Sequence, residues 1–211
     1  MIYLSGVFSR LALGSGHPNL GLMVNPNMWN DLSPLGSIQF GADNGCFRQG
    51  ASFDPEVWLR WLERLGWCRH NCLFAVAPDV LGDPRATLIR SLLYLDRIAQ
   101  LGFPRAFVSQ DGCTSSLVPW DSMEVLFVGG STKWKLSEAS YSLVAEARER
   151  GKRTHMGRVN SVRRIAACIA SRIDSADGTL LAFGDERNWP VLEIGLDLAR
   201  QQIPLLGASS V

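Results

Sequence analysis

Eight short apolar segments alternate with polar, helix-like stretches along the chain, and this alternation constrains the fold more than any other feature of the sequence. The segments comprise residues 2–4, 20–25, 38–42, 73–77, 106–109, 125–128, 153–156 and one that begins near residue 172. Apolar strands separated by helices are typical of a parallel sheet, and eight of them favour a closed barrel over a doubly wound sheet. We therefore predict an α/β fold, a trimmed TIM-like (β/α)8 barrel that forms a single domain over residues 1–211.

Five of the intervening stretches carry clear helix signals, because a capping residue or an early proline marks the start of a periodic apolar pattern. The predicted starts are Asp54, Asp83, Ser137, Ser161 and the pair Asn188 and Pro190. Three connections, over residues 5–19, 27–37 and 113–123, show no convincing helix.

Composition limits the class of protein. With 46% hydrophobic residues the chain can bury one full core, and it has neither a long apolar run nor a secretory leader pattern. We therefore expect a soluble cytoplasmic protein with no membrane partner. The five cysteines are scattered and odd in number, which argues against a disulfide framework. Cys68, His70 and Cys72 lack a second ligand pair at zinc-site spacing, so no metal and no cofactor are predicted.

A net charge of +1 conceals a basic segment. Residues 131–172 contain ten Lys or Arg against three Glu, a local charge of +7, so the rest of the chain carries −6. Part of this segment is the expected solvated face of a helix. Four of its cations follow strand-like segments, where they are predicted to contact nucleic-acid phosphates: Lys133, Lys135, Arg158 and Arg163. Trp134, between the two lysines, suits stacking on a nucleobase, with a buried helix-start anchor as the alternative.

Candidate site residues follow most of the predicted strands, and in a barrel the carboxyl ends of the strands line the active site. These residues are Asp43 and Phe47, Asp79, Gln110, Gly129 and Gly130, Met156, and finally Asp174 and Asp177. Carboxylates and a carboxamide pair with amidine-like N–H groups, and glycines let a flat ring approach the backbone. The set therefore predicts a site for a polar heterocycle.

Six short motifs occur in the same order as in a known family and cover roughly residues 38–185. They are Asp43-Asn44-Gly45-Cys46-Phe47, Ala77-Pro78-Asp79, Val108-Ser109-Gln110-Asp111-Gly112, Gly129-Gly130-Ser131, His155-Met156-Gly157 and Ile173-Asp174-Ser175-Ala176-Asp177. The sequence resembles the tRNA-guanine transglycosylase superfamily, and within it the short phage-type branch that installs 7-deazaguanine bases in DNA. It departs from the family in two motifs, where Cys46 and Asp111 each replace a glycine. The zinc subdomain of the tRNA enzymes has no counterpart.

The resemblance implies a DNA-guanine transglycosylase that exchanges guanine for a 7-deazaguanine, such as 7-cyano-7-deazaguanine, in the host cytoplasm if the protein is phage-encoded. Breaking an N-glycosidic bond builds positive charge at C1′, which a carboxylate can trap covalently while a second acid manages protons. Asp177 is the predicted nucleophile and Asp43 the predicted acid–base.

The remaining site residues are assigned by the same resemblance to binding the base and the sugar. Phe47 and Met156 are predicted to form the two walls around the base, with core packing as the alternative for each. Asp79, Gln110 and the Gly129–Gly130 turn would read the edge of the base, and Asp174 would contact the ribose or hold the strand end.

Three other functions stay open from the sequence: a tRNA-guanine transglycosylase, a nucleic-acid-binding barrel without catalysis, and an enzyme that only hydrolyses glycosidic bonds. The catalytic interpretations require Asp43 and Asp177 to face the mouth of the barrel together. A pure binding module needs basic and aromatic residues there but no pair of acids.

Overall fold

The computed structural model describes residues 1–7, 9–28 and 31–201. Eight parallel strands close into a barrel in chain order, with the last strand paired to the first. The strands are β1 Ile2–Ser5, β2 Leu20–Val24, β3 Phe40–Ala42, β4 Cys72–Val76, β5 Arg105–Ser109, β6 Val125–Val128, β7 Arg153–Met156 and β8 Ser175–Gly178. The predicted α/β TIM-like barrel is therefore confirmed.

Helices surround the barrel within the described part of the chain. They are α1 Arg10–Gly14, α2 Cys46–Gln49, α3 Pro55–Arg64, α4 Pro84–Gln100, α5 Thr132–Lys135, α6 Glu138–Glu149, α7 Val162–Ala170 and α8 Asp185–Gln201. The predicted starts at Asp54, Asp83, Ser137 and Ser161 are confirmed, because each of these side chains accepts a hydrogen bond from a backbone N–H of the first turn. None of the described helices is long and apolar enough to cross a bilayer.

Three predicted boundaries are wrong. The connection over residues 5–19 contains the short helix α1. Helix α8 begins at Asp185 and includes Pro190, because burial of Trp189, Leu192 and Leu196 outweighs the missing N–H of the proline. The last strand begins at Ser175 rather than near Arg172. Arg172 has a left-handed φ of 53°, and the N–H of Ile173 bonds to the carbonyl of Cys168, so these residues end α7.

Among the described residues, the other two connections without a predicted helix contain only 3₁₀ turns, one in residues 27–37 and two in residues 113–123. These turns are Ser33–Gly36, Ser115–Leu117 and Trp120–Ser122. Long loops of this kind follow β2 and β5 and add little to the helical layer.

The core has two layers, inside the barrel and between barrel and helices. Leu4, Met23 and Phe74 belong to the inner cluster, and Gly41 faces them. A Cβ at Gly41 would lie 2.8 Å from the sulfur of Met23 and 2.9 Å from atoms of Leu4 and Phe74. Around Gly41 the barrel interior is therefore closely packed beneath the carboxyl ends of the strands.

Candidate functional site

A pocket with a cavity volume of about 110 Å³ opens at the carboxyl ends of the strands and is partly exposed to solvent. Its apolar floor contains Met23, Val76, Val108 and Phe127 from the inner layer of the barrel. Its polar lining is formed by Asp43, Asn44, Asp79, Gln110, Lys135, Arg158 and Asp177. Three carboxylates and two cations therefore share one concave site.

Asp43 follows β3 and is held in place by its backbone N–H, which donates to the carbonyl of Val24. Burial raises the pKa of Asp43 to about 7, and the nearby carboxylates of Asp177 and Asp79 add to the effect. An acid with a pKa near neutrality can both give and accept a proton at physiological pH. Asp43 therefore has the protonation behaviour of a general acid–base.

Asp79 is fixed by two carboxamides. Its Oδ1 accepts from Nδ2 of Asn44 at 2.9 Å, and its Oδ2 accepts from Nε2 of Gln110 at 2.6 Å. Both amides are held in turn, since Nδ2 of Asn44 also donates to the carbonyl of Ala77 and Oε1 of Gln110 accepts from the N–H of Gly82. Burial also raises the pKa of Asp79. The sequence places Asn44 directly after the third predicted strand and inside the Asp43 motif, but it assigned this residue no specific role.

Asp177 is the next-to-last residue of β8, and its side chain is 16% exposed and lines the pocket. Its Oδ1 lies 3.0 Å from Nε2 of His155, and its Oδ2 accepts from the backbone N–H of Arg158 at 3.3 Å. His155 is fully buried below the pocket. The structure thus brings both predicted catalytic acids, Asp43 and Asp177, to one pocket, and it adds a histidine that sequence reasoning missed.

Met156 does not form a pocket wall, which corrects the prediction for this residue. Its side chain is buried in the layer outside the barrel, with its sulfur 3.5 Å from Sγ of Cys168 on α7. Side chains alternate across a strand, so Met156 and His155 face opposite sides of β7. The two-residue period of side chains along a strand is the sequence signal that identifies His155 as the inward residue.

Asp174 lies at the opposite end of the barrel, which corrects its assignment to the ribose. It precedes β8, and its Oδ2 accepts from the backbone N–H of Thr154 at 2.7 Å and from the Thr154 hydroxyl at 2.8 Å. Because β8 starts only at Ser175, Asp174 is at an amino end and Asp177 at a carboxyl end. Asp174 holds the strand end, the other role considered for it.

Phe47 is 57% exposed at the mouth of the pocket, so its ring is not part of the core. The guanidinium carbon of Arg158 lies 3.4 Å from the centre of this ring, a close cation–π stack. Arg158 adopts a left-handed φ of 56°. The stack connects the loop after β3 with the loop after β7 and places a cation at the pocket rather than on the outer surface.

The other three basic residues differ in exposure, since one is buried and two are exposed. Lys135 is buried and donates from Nζ to the carbonyl of Gly157 at 2.8 Å, and burial lowers its pKa to about 8. Trp134 packs in the core cluster of α6, so the nucleobase-stacking prediction is wrong and the helix-start anchor is correct. Lys133 and Arg163 are exposed.

The Gly129–Gly130 turn lines the pocket through its backbone. Gly130 has a left-handed φ of 70°, and a Cβ there would lie 2.3 Å from Oδ2 of Asp111. Asp111 accepts from both the backbone N–H and the hydroxyl of Ser131, so its carboxylate braces the turn. Asp111 is not among the pocket-lining residues.

Within the described residues, no three His, Cys, Asp or Glu side chains lie together as a metal site would require. No family model and no curated protein matches the sequence. Solved structures do match. An open form of tryptophan synthase from M. tuberculosis aligns at 16% identity and a TM-score of 0.47, over 77% of this chain and 60% of that chain. The chain therefore spans about 60% of the length of that first relative.

Two further structures align over most of both chains. A structure titled native KDPGal has a TM-score of 0.54 and 12% identity, and covers 95% of each chain. An aminoacrylate-bound form of M. tuberculosis tryptophan synthase has a TM-score of 0.52 and 12% identity, over 94% of this chain and 89% of that chain. Identities this low show a shared barrel fold and nothing about activity.

Proposed function

We propose that the protein is a DNA-guanine transglycosylase, which exchanges a guanine in DNA for a 7-deazaguanine base through a covalent bond to Asp177. The observation that carries the proposal is that Asp43 and Asp177, from opposite regions of the sequence, line one pocket closely enough for the charge of Asp177 to raise the pKa of Asp43. A binding barrel without catalysis does not need such a pair, because adjacent carboxylates repel both each other and phosphates.

The two acids have distinct roles in a retaining displacement. In the first step the bond from C1′ to N9 of guanine breaks, a bond from C1′ to a carboxylate oxygen of Asp177 forms, and protonated Asp43 gives its proton to the departing base. In the second step N9 of the incoming base attacks C1′, Asp177 leaves as a carboxylate, and Asp43 takes the N9 proton. The sugar–phosphate strand stays intact and Asp43 ends as it began.

Recognition of the base rests on Asp79 and Phe47. The carboxylate of Asp79, fixed by Asn44 and Gln110, can accept from the N1–H and the amine of guanine, which a 7-deazaguanine also carries. The exposed ring of Phe47 offers a stacking face at the mouth. A base inside a duplex cannot reach this pocket, so the target must be extruded or single-stranded.

Incubation of the purified protein with oligonucleotides and radiolabelled guanine tests the proposal. We expect label in acid-insoluble DNA and, after quenching in denaturant, a protein–DNA adduct on a gel. Label that enters tRNA but not DNA would identify a tRNA enzyme. Binding without label would identify a binding barrel, and abasic sites would identify a hydrolase. Any of these three results rejects the proposal.

The exposed pair Lys133 and Arg163 is expected to contact phosphates outside the pocket. Replacing both with alanine should weaken DNA binding about equally for all sequences and reduce the slope of log Kd against log salt by about 0.7–0.9 per lost contact. Fluorescence anisotropy at several salt concentrations measures this slope. The matched control replaces Arg60 and Arg64 on α3, which are equally exposed. Equal slopes for the two double variants would place the DNA elsewhere.

The inserted base is expected to be a neutral 7-cyano form rather than a cationic 7-aminomethyl form. The Gly129–Gly130 turn offers backbone to position 7, Asp111 is engaged by Ser131, and Lys135 adds a positive charge to the lining. An unpaired buried cation costs several kcal/mol, so we expect a preference of at least about tenfold in a competition between the two bases. Lys135→Gln should reduce the preference for the 7-cyano base over the 7-aminomethyl base. Better uptake of the aminomethyl base by the wild-type protein would contradict this prediction.

A further inference from the structure

A buried hydrogen-bonded chain lies beneath the pocket and ends at Asp177. The hydroxyl of Ser175 lies 2.9 Å from Nδ1 of His155, and Nε2 of His155 lies 3.0 Å from Oδ1 of Asp177. The imidazole is fully buried, and its centre lies 4.6 Å from the ring of Phe74 and 4.5 Å from the ring of Phe127. The two aromatic rings leave the imidazole little freedom to rotate.

The partners of the ring determine its hydrogen bonds. An ionised Asp177 can only accept, so Nε2 of His155 must carry a proton and donate to Oδ1. In the neutral ring Nδ1 is then an acceptor, which the Ser175 hydroxyl satisfies by donating to it. Each buried polar atom of the chain thus has a hydrogen-bond partner.

The same three residue types form the nucleophilic triads of hydrolases, but here the order is reversed. A serine nucleophile must meet the substrate, whereas Ser175 is 6% exposed and does not line the pocket. The acid is the member of the chain that reaches the pocket. The histidine therefore acts on the carboxylate and not on the hydroxyl.

We infer that His155 is a positioning residue that holds one oxygen of the Asp177 carboxylate and directs the other, Oδ2, toward the sugar carbon. This inference rests on the proposed function. Among the described residues, Oδ2 accepts a hydrogen bond only from the Arg158 N–H, at 3.3 Å, so it is the oxygen available to attack. The Nε2–H donor is held in place before reaction and stabilises the carboxylate again when it leaves in the second step, at no reorganisation cost.

Two substitutions of His155 separate positioning from packing. The carboxamide of His155→Gln can donate from the position of Nε2, whereas His155→Leu fills similar space without a donor. We expect His155→Leu to slow adduct formation in single-turnover reactions by about 100-fold, while His155→Gln slows it less than about tenfold. The Kd for DNA should stay within about twofold for both, because neither side chain reaches the ligand.

Ser175→Ala supplies a second measurement if the leucine variant does not fold, which thermal unfolding will show. It removes the donor to Nδ1 and should slow adduct formation by a few-fold without changing Kd. Absence of an adduct with the wild-type protein would reject the proposed function. A normal wild-type adduct with equal rates for the glutamine and leucine variants, or an unchanged rate in Ser175→Ala when the leucine variant is unfolded, would reject the role of His155.

Discussion

Asp177→Asn is expected to abolish the covalent adduct and to lower base exchange by at least about 10³-fold, since a carboxamide is a poor nucleophile at C1′. The substitution preserves size, and the carboxamide oxygen can still accept from Nε2 of His155, so the fold should persist. Denaturing gels and acid-precipitable label measure the two losses. Thermal unfolding checks that the variant is folded.

Asp174→Asn is the matched control, because it changes the same residue type three positions away at the other end of the barrel. It replaces the carboxylate that accepts two hydrogen bonds from Thr154, so it should cost about 1–3 kcal/mol of stability. Exchange at a temperature where both variants are folded should equal that of the wild type. An active Asp177→Asn variant, or an inactive but folded Asp174→Asn variant, would exchange the roles of these residues.

Asp43→Asn is expected to slow exchange by about 10²–10⁴-fold, because general acid–base catalysis is lost while the shape of the pocket is kept. In the proposed reaction, adduct formation requires protonated Asp43, whose pKa is raised to about 7 by burial and by Asp177 and Asp79. The single-turnover rate should therefore fall about tenfold per pH unit above neutrality. This limb should be absent from the pH profile of the asparagine variant, and its persistence would assign the proton to another group.

The same raised pKa of Asp43 predicts a gain in stability when the acid is removed. The folded state holds the proton up to about pH 7, whereas the ordinary value is 3.8, so the protonated acid stabilises the fold fully below pH 3.8 and this contribution is lost as pH rises through 7. The loss is at most about 4 kcal/mol. Asp43→Asn should therefore unfold at a higher denaturant concentration than the wild type at pH 8, with little difference near pH 4.

A catalytic residue that destabilises its own fold is typical of active sites. If Asp43→Asn is inactive and no more stable than the wild type at pH 8, the carboxylate is better solvated than its position indicates. Asp121→Asn, at an exposed position that does not line the pocket, should leave activity unchanged.

The sequence by itself determined the barrel and the helix starts at four caps. Runs of apolar residues predict buried strands without knowledge of their neighbours in space. A capping side chain bonds to a backbone N–H only two or three residues further along the chain. It also determined that Asp43, Asp79 and Gln110 follow strands, which is enough to place them at the carboxyl end of a barrel. These features depend on local spacing, and local spacing is visible in a sequence.

Only the tertiary structure decided which of the other residues reach the pocket. Asp174 and Asp177 look equivalent in the sequence. Because of the left-handed turn at Arg172, β8 begins only at Ser175, so Asp174 lies before the strand and Asp177 lies near its carboxyl end. The two acids are therefore at opposite ends of the barrel. Neighbouring side chains on β7 point to opposite faces of the sheet, so Met156 points out of the barrel and His155 points into it. Lys135 bonds to a carbonyl contributed by the β7 loop, and no local pattern encodes that contact. The physical reason is that side-chain direction depends on where a strand begins and on what packs against it, and both are set by distant parts of the chain.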